Sequence, residues 1–452
     1  MFEVNIAVLL VVCLIVLVAI GVHIAIALGM TSALGIWLVT GADANAFRTV
    51  QAMLAATAYE AIRDYVFAVI PLFLLMGEFI GKSGTITDIY RGINKGLKKI
   101  PGRLAIATVI GNALFSFVTG VSIASAAAFS RIAYPEMRRY NYHKGFALGT
   151  IAGSSCLGML IPPSVLMIVW GILTEKSIGQ IFAAGVFPGL LLMVLFIIYV
   201  FSMALIKPEL VGAGTATPVE TDSDEKIDDD VSTGQFISSL IGILIVIAAV
   251  LGGIVFGVFT PTEGAGAGAF IGLVLGLLKG MRYKDIIDSI LSVGRTSAPI
   301  LLLLVTAALY SRTLAMTGLA NAIESLFIGS GMDPWMVISV MVIIWFLLGM
   351  IIDSISIMLL TAAIFSPIAE KLGYDPIAFA IIGIIAIEAG LLTPPFGLLV
   401  YTVKSAIEGI DPDMSVMTIF ISSTPYWMVM LLGMVLIINF PVIATFLPRL
   451  LF

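Results

Sequence analysis

Two short stretches carry the residues from which an ion site could be built. Residues 153–171 read GSSCLGMLIPPSVLMIVWG, and residues 387–404 read IEAGLLTPPFGLLVYTVK. Each sets a proline pair, Pro162–Pro163 and Pro394–Pro395, inside an apolar run long enough to cross a membrane. Proline has no N–H to donate, and its ring clashes with the carbonyl one turn back, so a helix breaks there. In hydrocarbon the freed carbonyls persist only where something inside the protein satisfies them. A bound cation is one such partner, and unwound carbonyls joined by Ser or Thr hydroxyls suit Na⁺. Glycines at Gly153, Gly158, Gly390 and Gly397 allow the close backbone approach that such a site needs.

The elements that must hold these residues are membrane helices. The chain has 452 residues, 60% of them hydrophobic and 11% charged, against roughly 45–50% and 25% in soluble domains. It is an all-α polytopic membrane protein. Apolar runs near 4–21, 22–40, 65–82, 145–174, 181–206, 236–258, 263–280, 298–316, 377–404 and 424–447 give about ten spans. The acid at Glu3 and the lack of a basic start make the first run a span rather than a cleaved signal. Two further blocks, 104–134 and 335–369, each hold two short apolar runs around a small polar cluster, TGVSIAS and GMIIDSIS. Each fits a re-entrant hairpin. With the N-terminus outside, 17 of the 23 Lys and Arg residues fall inside and 6 outside, as the positive-inside rule requires. Residues 207–235 form an acidic hydrophilic linker. Cys13 and Cys156 lie in apolar segments, so no disulfide is expected. With only His23 and His143, no zinc or haem site is expected. No His-x-x-x-His pair, Ser/His pair or paired-Asp arrangement suggests an intramembrane enzyme, and no nucleic-acid partner or organic cofactor is expected.

A shift of 232 residues superimposes 119–170 on 351–402 with ten identities in 52 positions, among them Ser122/Ser354, Pro135/Pro367, Tyr142/Tyr374, Gly158/Gly390 and both proline pairs. The predicted topology gives the halves, 1–206 and 236–452, opposite orientations. Inverted repeats of this kind build secondary transporters with midplane sites on discontinuous helices. A channel fits less well, because paired occluding hairpins suit alternating access.

At these motifs the chain resembles the large membrane subunit of tripartite ATP-independent periplasmic (TRAP) transporters. The resemblance rests on FSFVTGVSIASAAAFSRIAYPEM (115–137), residues 153–191, GVFTPTEGAGAGAF (257–270), LLGMIIDSISIMLLT (347–361) and residues 387–404. It implies an inverted-repeat elevator driven by Na⁺, in a prokaryotic cytoplasmic membrane. A small membrane (Q) subunit would extend the scaffold. A periplasmic binding protein would deliver an organic acid such as a C4-dicarboxylate or a sialic acid. A stand-alone divalent-anion/Na⁺ symporter or antiporter is the alternative.

The first Na⁺ site is expected among Gly120, Ser122, Ser125, Gly153, Ser154, Ser155, Gly158 and Pro162. The second is expected among Gly349, Asp353, Ser354, Ser356, Gly390, Thr393 and Pro394, with Ser122, Ser164, Ser354 and Thr393 facing substrate. A carboxylate at membrane depth costs at least ~2.5–3.5 kcal/mol and marks an interior or a pathway. Asp353 is therefore read as an ion-site or gating residue. Glu388 either serves coupling or, with Pro163 and Pro395, holds the broken helix in shape. Glu78, Glu175 and Glu263 resemble recurring family positions near span ends and are read as structural. No residue stands out as an anion clamp. Arg312 is the nearest, though an interfacial role suits it better, and hairpin-tip N–H groups or helix N-termini are the other option.

Overall fold

The structure is a computed structural model that describes residues 2–212, 232–317 and 333–452. Most of the acidic linker, 213–231, lies outside the described residues. Regular structure among the described residues is helical, with no named strand. The first half runs α1 (Phe2–Ala19), α2 (Ile24–Val39), α3 (Ala44–Arg63), α4 (Val69–Lys82), α5 (Thr85–Gly96), α6 (Arg103–Thr119), α7 (Ser122–Arg139), α8 (Lys144–Ser155), α9 (Leu157–Leu160), α10 (Val165–Thr174) and α11 (Ile178–Ile206). The second runs α12 (Thr233–Ile247), α13 (Gly253–Val255), α14 (Pro261–Leu278), α15 (Tyr283–Met316), α16 (Pro334–Gly349), α17 (Ser354–Lys371), α18 (Pro376–Gly390), α19 (Leu398–Ala406), α20 (Val416–Asn439) and α21 (Val442–Leu451).

Both hairpins are present. Helices α6 and α7 are joined by Gly120 and Val121 alone, and α16 and α17 by residues 350–353. Gly120 makes the first turn because it sits at φ 62°, where a side chain is costly. The repeat register survives in the helix ends. Moving α7 and the start of α8 by 232 residues lands on the two ends of α17 and the start of α18. Both apolar runs are broken where the prolines stand, at 161–164 and 391–397, and both Pro-Pro peptide bonds are cis.

Packing is crosswise between the halves. The second hairpin's α17 lies on α10 beyond the first break, and the first hairpin's α7 lies on α19 beyond the second. Trp170 of α10, Trp345 of α16 and Phe379 of α18 meet edge-on or tilted at 5.1–6.0 Å between ring centres. Trp345 Nε1 also donates to Thr361 Oγ1 on α17 at 2.7 Å. Against this body stands a second group, in which α4 packs on α14 and α15, and α2 on α15.

Three span boundaries differ from the sequence reading. The run expected at 424–447 is a helix ending at Asn439 followed by a separate α21. Pro441 forces Phe440 out of the helical region, to φ −127° and ψ 71°. The run expected at 298–316 begins instead at Tyr283, because Asp285 caps the chain one turn in and accepts from the Arg282 N–H at 2.8 Å. Third, α17 is by length and composition one of eight helices able to span among the described residues, whereas neither hairpin arm was expected to be long enough.

The far end of the first hairpin is tied down by one carboxylate. Asp411, in the loop after α19, accepts from Tyr134 Oη and Lys144 Nζ at 2.5 Å each and pairs with Arg138 at 3.3 Å. Burial would raise its pKa, but the bonds from Lys144 and Tyr134 and the Arg138 charge outweigh burial and hold it below the usual value. A lowered folded pKa stabilises above the unfolded value and is lost as pH falls through the folded one. Asp411→Asn should therefore lower the melting midpoint of the detergent-purified protein at pH 7, modestly, since exposed pairs contribute about 0–1 kcal/mol. The gap to wild type should close only below the ordinary aspartate value of about 3.9. A gap that is constant down to pH 3 would contradict the assignment.

Candidate functional site

The two hairpin tips converge on one carboxylate. Ser122 begins α7 and Ser354 begins α17, at repeat-related positions. Ser122 Oγ donates to Glu388 Oε2 at 2.6 Å, and Ser354 Oγ donates to Glu388 Oε1 at 2.8 Å. Glu388 is fully buried, two residues before the end of α18, and the two serines are 1% and 5% exposed. Its repeat mate is Cys156, whose Sγ donates to the Glu388 carbonyl at 3.7 Å, 232 residues away in sequence. The carboxylate thus lies where the two halves meet and belongs to one half only.

Close packing delivers the tips to this point. A Cβ on Gly158 would sit 2.9 Å from the Ser122 backbone, and one on Gly349 would sit 2.7 Å from the Ile387 carbonyl and 2.8 Å from Gly390 Cα. Val165 N donates to the Gly120 carbonyl at 3.1 Å, and Phe396 N donates to the Met350 carbonyl at 3.2 Å. Each tip therefore supplies a backbone partner to the segment beside its own break.

The other expected residues separate into local roles. Ser164 Oγ spans the first break, donating to the Met159 carbonyl at 2.5 Å and capping α10 through Met167 N at 3.4 Å. Thr393 Oγ1 donates to the Gly390 carbonyl at 2.6 Å. Ser155 Oγ donates to Ala152 O at 2.7 Å within its own helix. Asp353 is the N-cap of α17, accepting from the Ser356 backbone at 3.0 Å and from its hydroxyl, so these two residues satisfy each other. Gly153 faces the Tyr426 ring, 2.1 Å from a would-be Cβ, which makes it a packing position between α8 and α20. The breaks also differ in exposure. Ile161, Pro162, Pro163 and Ser164 are buried, whereas Pro394, Pro395 and Phe396 are exposed.

One polar residue escaped the sequence reading. Asn112 of α6, fully buried, accepts from Ser125 Oγ and donates to Ser154 Oγ, both at 2.7 Å. It links the expected site-one serines of the hairpin and the broken helix. An asparagine in an apolar arm, IGNALFS, was the available signal.

A profile of the family described as "Tripartite ATP-independent periplasmic transporter, DctM component" matches residues 11–443. The chain belongs to this family. A C4-dicarboxylate TRAP transporter large permease protein from Pseudomonas aeruginosa is 32% identical over 401 residues, covering 88% of this chain and 89% of its own. An ectoine TRAP large permease from Halomonas elongata is 26% identical, covering 98% and 99%. A sialic acid TRAP large permease from Vibrio cholerae is 26% identical, covering 76% and 78%. The Alcanivorax borkumensis YdaH transporter shares the fold, with a TM-score of 0.66 at 15% identity over 89% of this chain and 90% of that one.

As a TRAP large permease the chain is a multi-pass membrane transport protein and not an enzyme. In this TRAP permease Arg312, the nearest option for an anion clamp, is engaged with α3. Its guanidinium donates to Glu60 at 2.5 Å and to Thr57 Oγ1 at 3.2 Å. Glu263 closes a capping box with Thr260, and Glu175 ends α10 in a left-handed conformation.

Glu388→Ala should leave two buried hydroxyls without their acceptor and lower the melting midpoint, each charge-assisted bond contributing about 1.5–3 kcal/mol. Glu388→Gln keeps one acceptor oxygen and should lose less. Melting by size-exclusion of the detergent-purified protein checks the order. Wild-type behaviour of the alanine variant would remove the carboxylate from the architecture of the tips.

Proposed function

We propose that this permease couples uptake of a small organic acid to Na⁺, by an elevator movement of the hairpins and broken helices against the helices around α4, α14 and α15. Residues 1–206 and 236–452 are the inverted repeats, joined by the 207–235 linker, and the N-terminus faces the periplasm. A small membrane (Q) subunit completes the scaffold, and a periplasmic binding protein hands over the substrate. The observation that carries this reading is the Glu388 carboxylate held by a serine from each hairpin tip. Buried with no cationic partner among the described residues, an ionised carboxylate gains from a nearby cation that offsets its desolvation. Na⁺ beside it would draw both tips together. Without Na⁺ the tips would be free to part. That makes occlusion conditional on ion binding, the condition a symporter needs.

The substrate class is a carboxylate, the common feature of the C4-dicarboxylates, sialic acid and ectoine named for the three relatives. Hairpin-tip serines Ser122 and Ser354 donate their one hydroxyl proton to Glu388, so they meet a substrate carboxylate only by giving up that bond. The Ser164 and Thr393 hydroxyls reach one only by giving up the break carbonyls they now hold.

Proteoliposomes containing this chain and its small subunit test the reading. Labelled organic acids should accumulate only with an inward Na⁺ gradient and the cognate binding protein present. Uptake with Na⁺ alone would assign the chain to a stand-alone symporter. Uptake driven by a proton gradient alone would remove Na⁺ from the site.

A further inference from the structure

A cavity of about 400 Å³ lies between the first hairpin and the facing helices. Thr119, Val121 and Arg131 form its hairpin wall, Glu78 and Lys82 of α4 and Thr296 of α15 its opposite one. It opens directly on the tip, since Val121 precedes Ser122. Its charged groups are not equivalent. Glu78 accepts from Ser292 at 2.7 Å, and Lys82 donates to the Asp285 carbonyl at 3.2 Å. Arg131 is exposed and, among the described residues, has neither a hydrogen bond nor an ion pair.

We propose that this cavity binds the carboxylate of the transported acid, with Arg131 as its charge partner; this deepens the uptake reading above and rests on it. A guanidinium offers a planar fork that matches a carboxylate with two parallel bonds. The volume suits a small organic acid, since ligand pockets run about 300–1,000 Å³. Glu78 on the facing wall repels the same group, so the acid lies with its carboxylate toward α7. Arg131 sits on the hairpin, the moving part in that reading, and stays with the substrate as the hairpin travels. Lys82 adds positive charge on the static side, where the acid leaves the hairpin. The basic flanks of this hairpin place the cavity toward the cytoplasm, so it is the release end of the path.

Binding of labelled succinate to the purified permease with its small subunit, in lipid nanodiscs at saturating NaCl, is the direct measurement. Arg131→Gln should weaken binding roughly tenfold to a hundredfold, the worth of a charge-assisted bond, while Arg131→Lys keeps most of it. As a readout independent of that variant's folding, Thr296→Cys in the otherwise wild-type chain should be alkylated by a maleimide, and succinate should slow the labelling. Mass spectrometry separates this label from Cys13 and the buried Cys156. Unchanged succinate affinity in Arg131→Gln, or labelling at residue 296 that succinate does not slow, would overturn the cavity assignment while leaving the uptake reading intact. Wild-type protein that binds none of succinate, sialic acid or ectoine would overturn both.

Discussion

Lipid offers no hydrogen bonds, and this one constraint organises the whole body of the protein. Two spanning runs are interrupted by prolines, so each must find partners for its freed backbone within the chain. The hairpins are those partners. The Gly120 carbonyl accepts from Val165 just past the first break, the Met350 carbonyl accepts from Phe396 inside the second, and the Ser164 and Thr393 hydroxyls take carbonyls on the near side. Each break therefore requires a hairpin tip against it, and each tip requires glycines thin enough to admit it. The elements cannot be separated: remove the tip and the break is left unsatisfied in hydrocarbon.

Crosswise packing turns two such units into one. Because α7 lies on α19 and α17 on α10, each hairpin is pinned by the other half's broken helix as well as its own. A displacement of either tip is felt by both breaks. Glu388 adds a polar link at the same place, where its carboxylate reaches both tips. Both tips thus share one acceptor residue in direct contact, with no intervening relay.

Much of this was written in patterns that composition and periodicity preserve. The proline pairs, the small polar clusters between short apolar runs and the 232-residue shift all survive in a single sequence, because each reflects a local backbone demand. What was not legible was pairing across the repeat. Glu388 read equally well as a structural or a coupling residue, since nothing local to IEAGLL says that Ser122, 266 positions earlier, lies against it. Asp353 drew attention as a charge at depth, but a cap that accepts from its own helix looks the same in sequence as a ligand. Arg131 stood in the sequence only as one residue of the 115–137 motif, because lacking a partner is a property of the surroundings. The end of the final span was missed for a different reason: apolar character continues past Asn439, while one proline decides the geometry.

The asymmetry of the repeat has a physical reason. Positions 156 and 388 are equivalent under the shift and meet at the junction of the halves. Glutamate at both would place two carboxylates in one buried pocket, and like charges that close cannot both ionise without a large penalty. A neutral residue at both would leave nothing to hold the two serines by a charge-assisted bond. Cysteine opposite glutamate avoids both costs: it is small, it fits the close contact and it carries no charge that competes. The same logic runs outward. Val121 stands where Asp353 caps the other tip, and Ser164 bridges its break where Phe396 is exposed at the other. The two breaks are therefore alike in backbone and unlike in covering. Residues 161–164 of the first break are buried, whereas Pro394, Pro395 and Phe396 of the second are exposed. Two halves built on one backbone plan thus differ at the junction, where one carboxylate serves the serines of both hairpin tips.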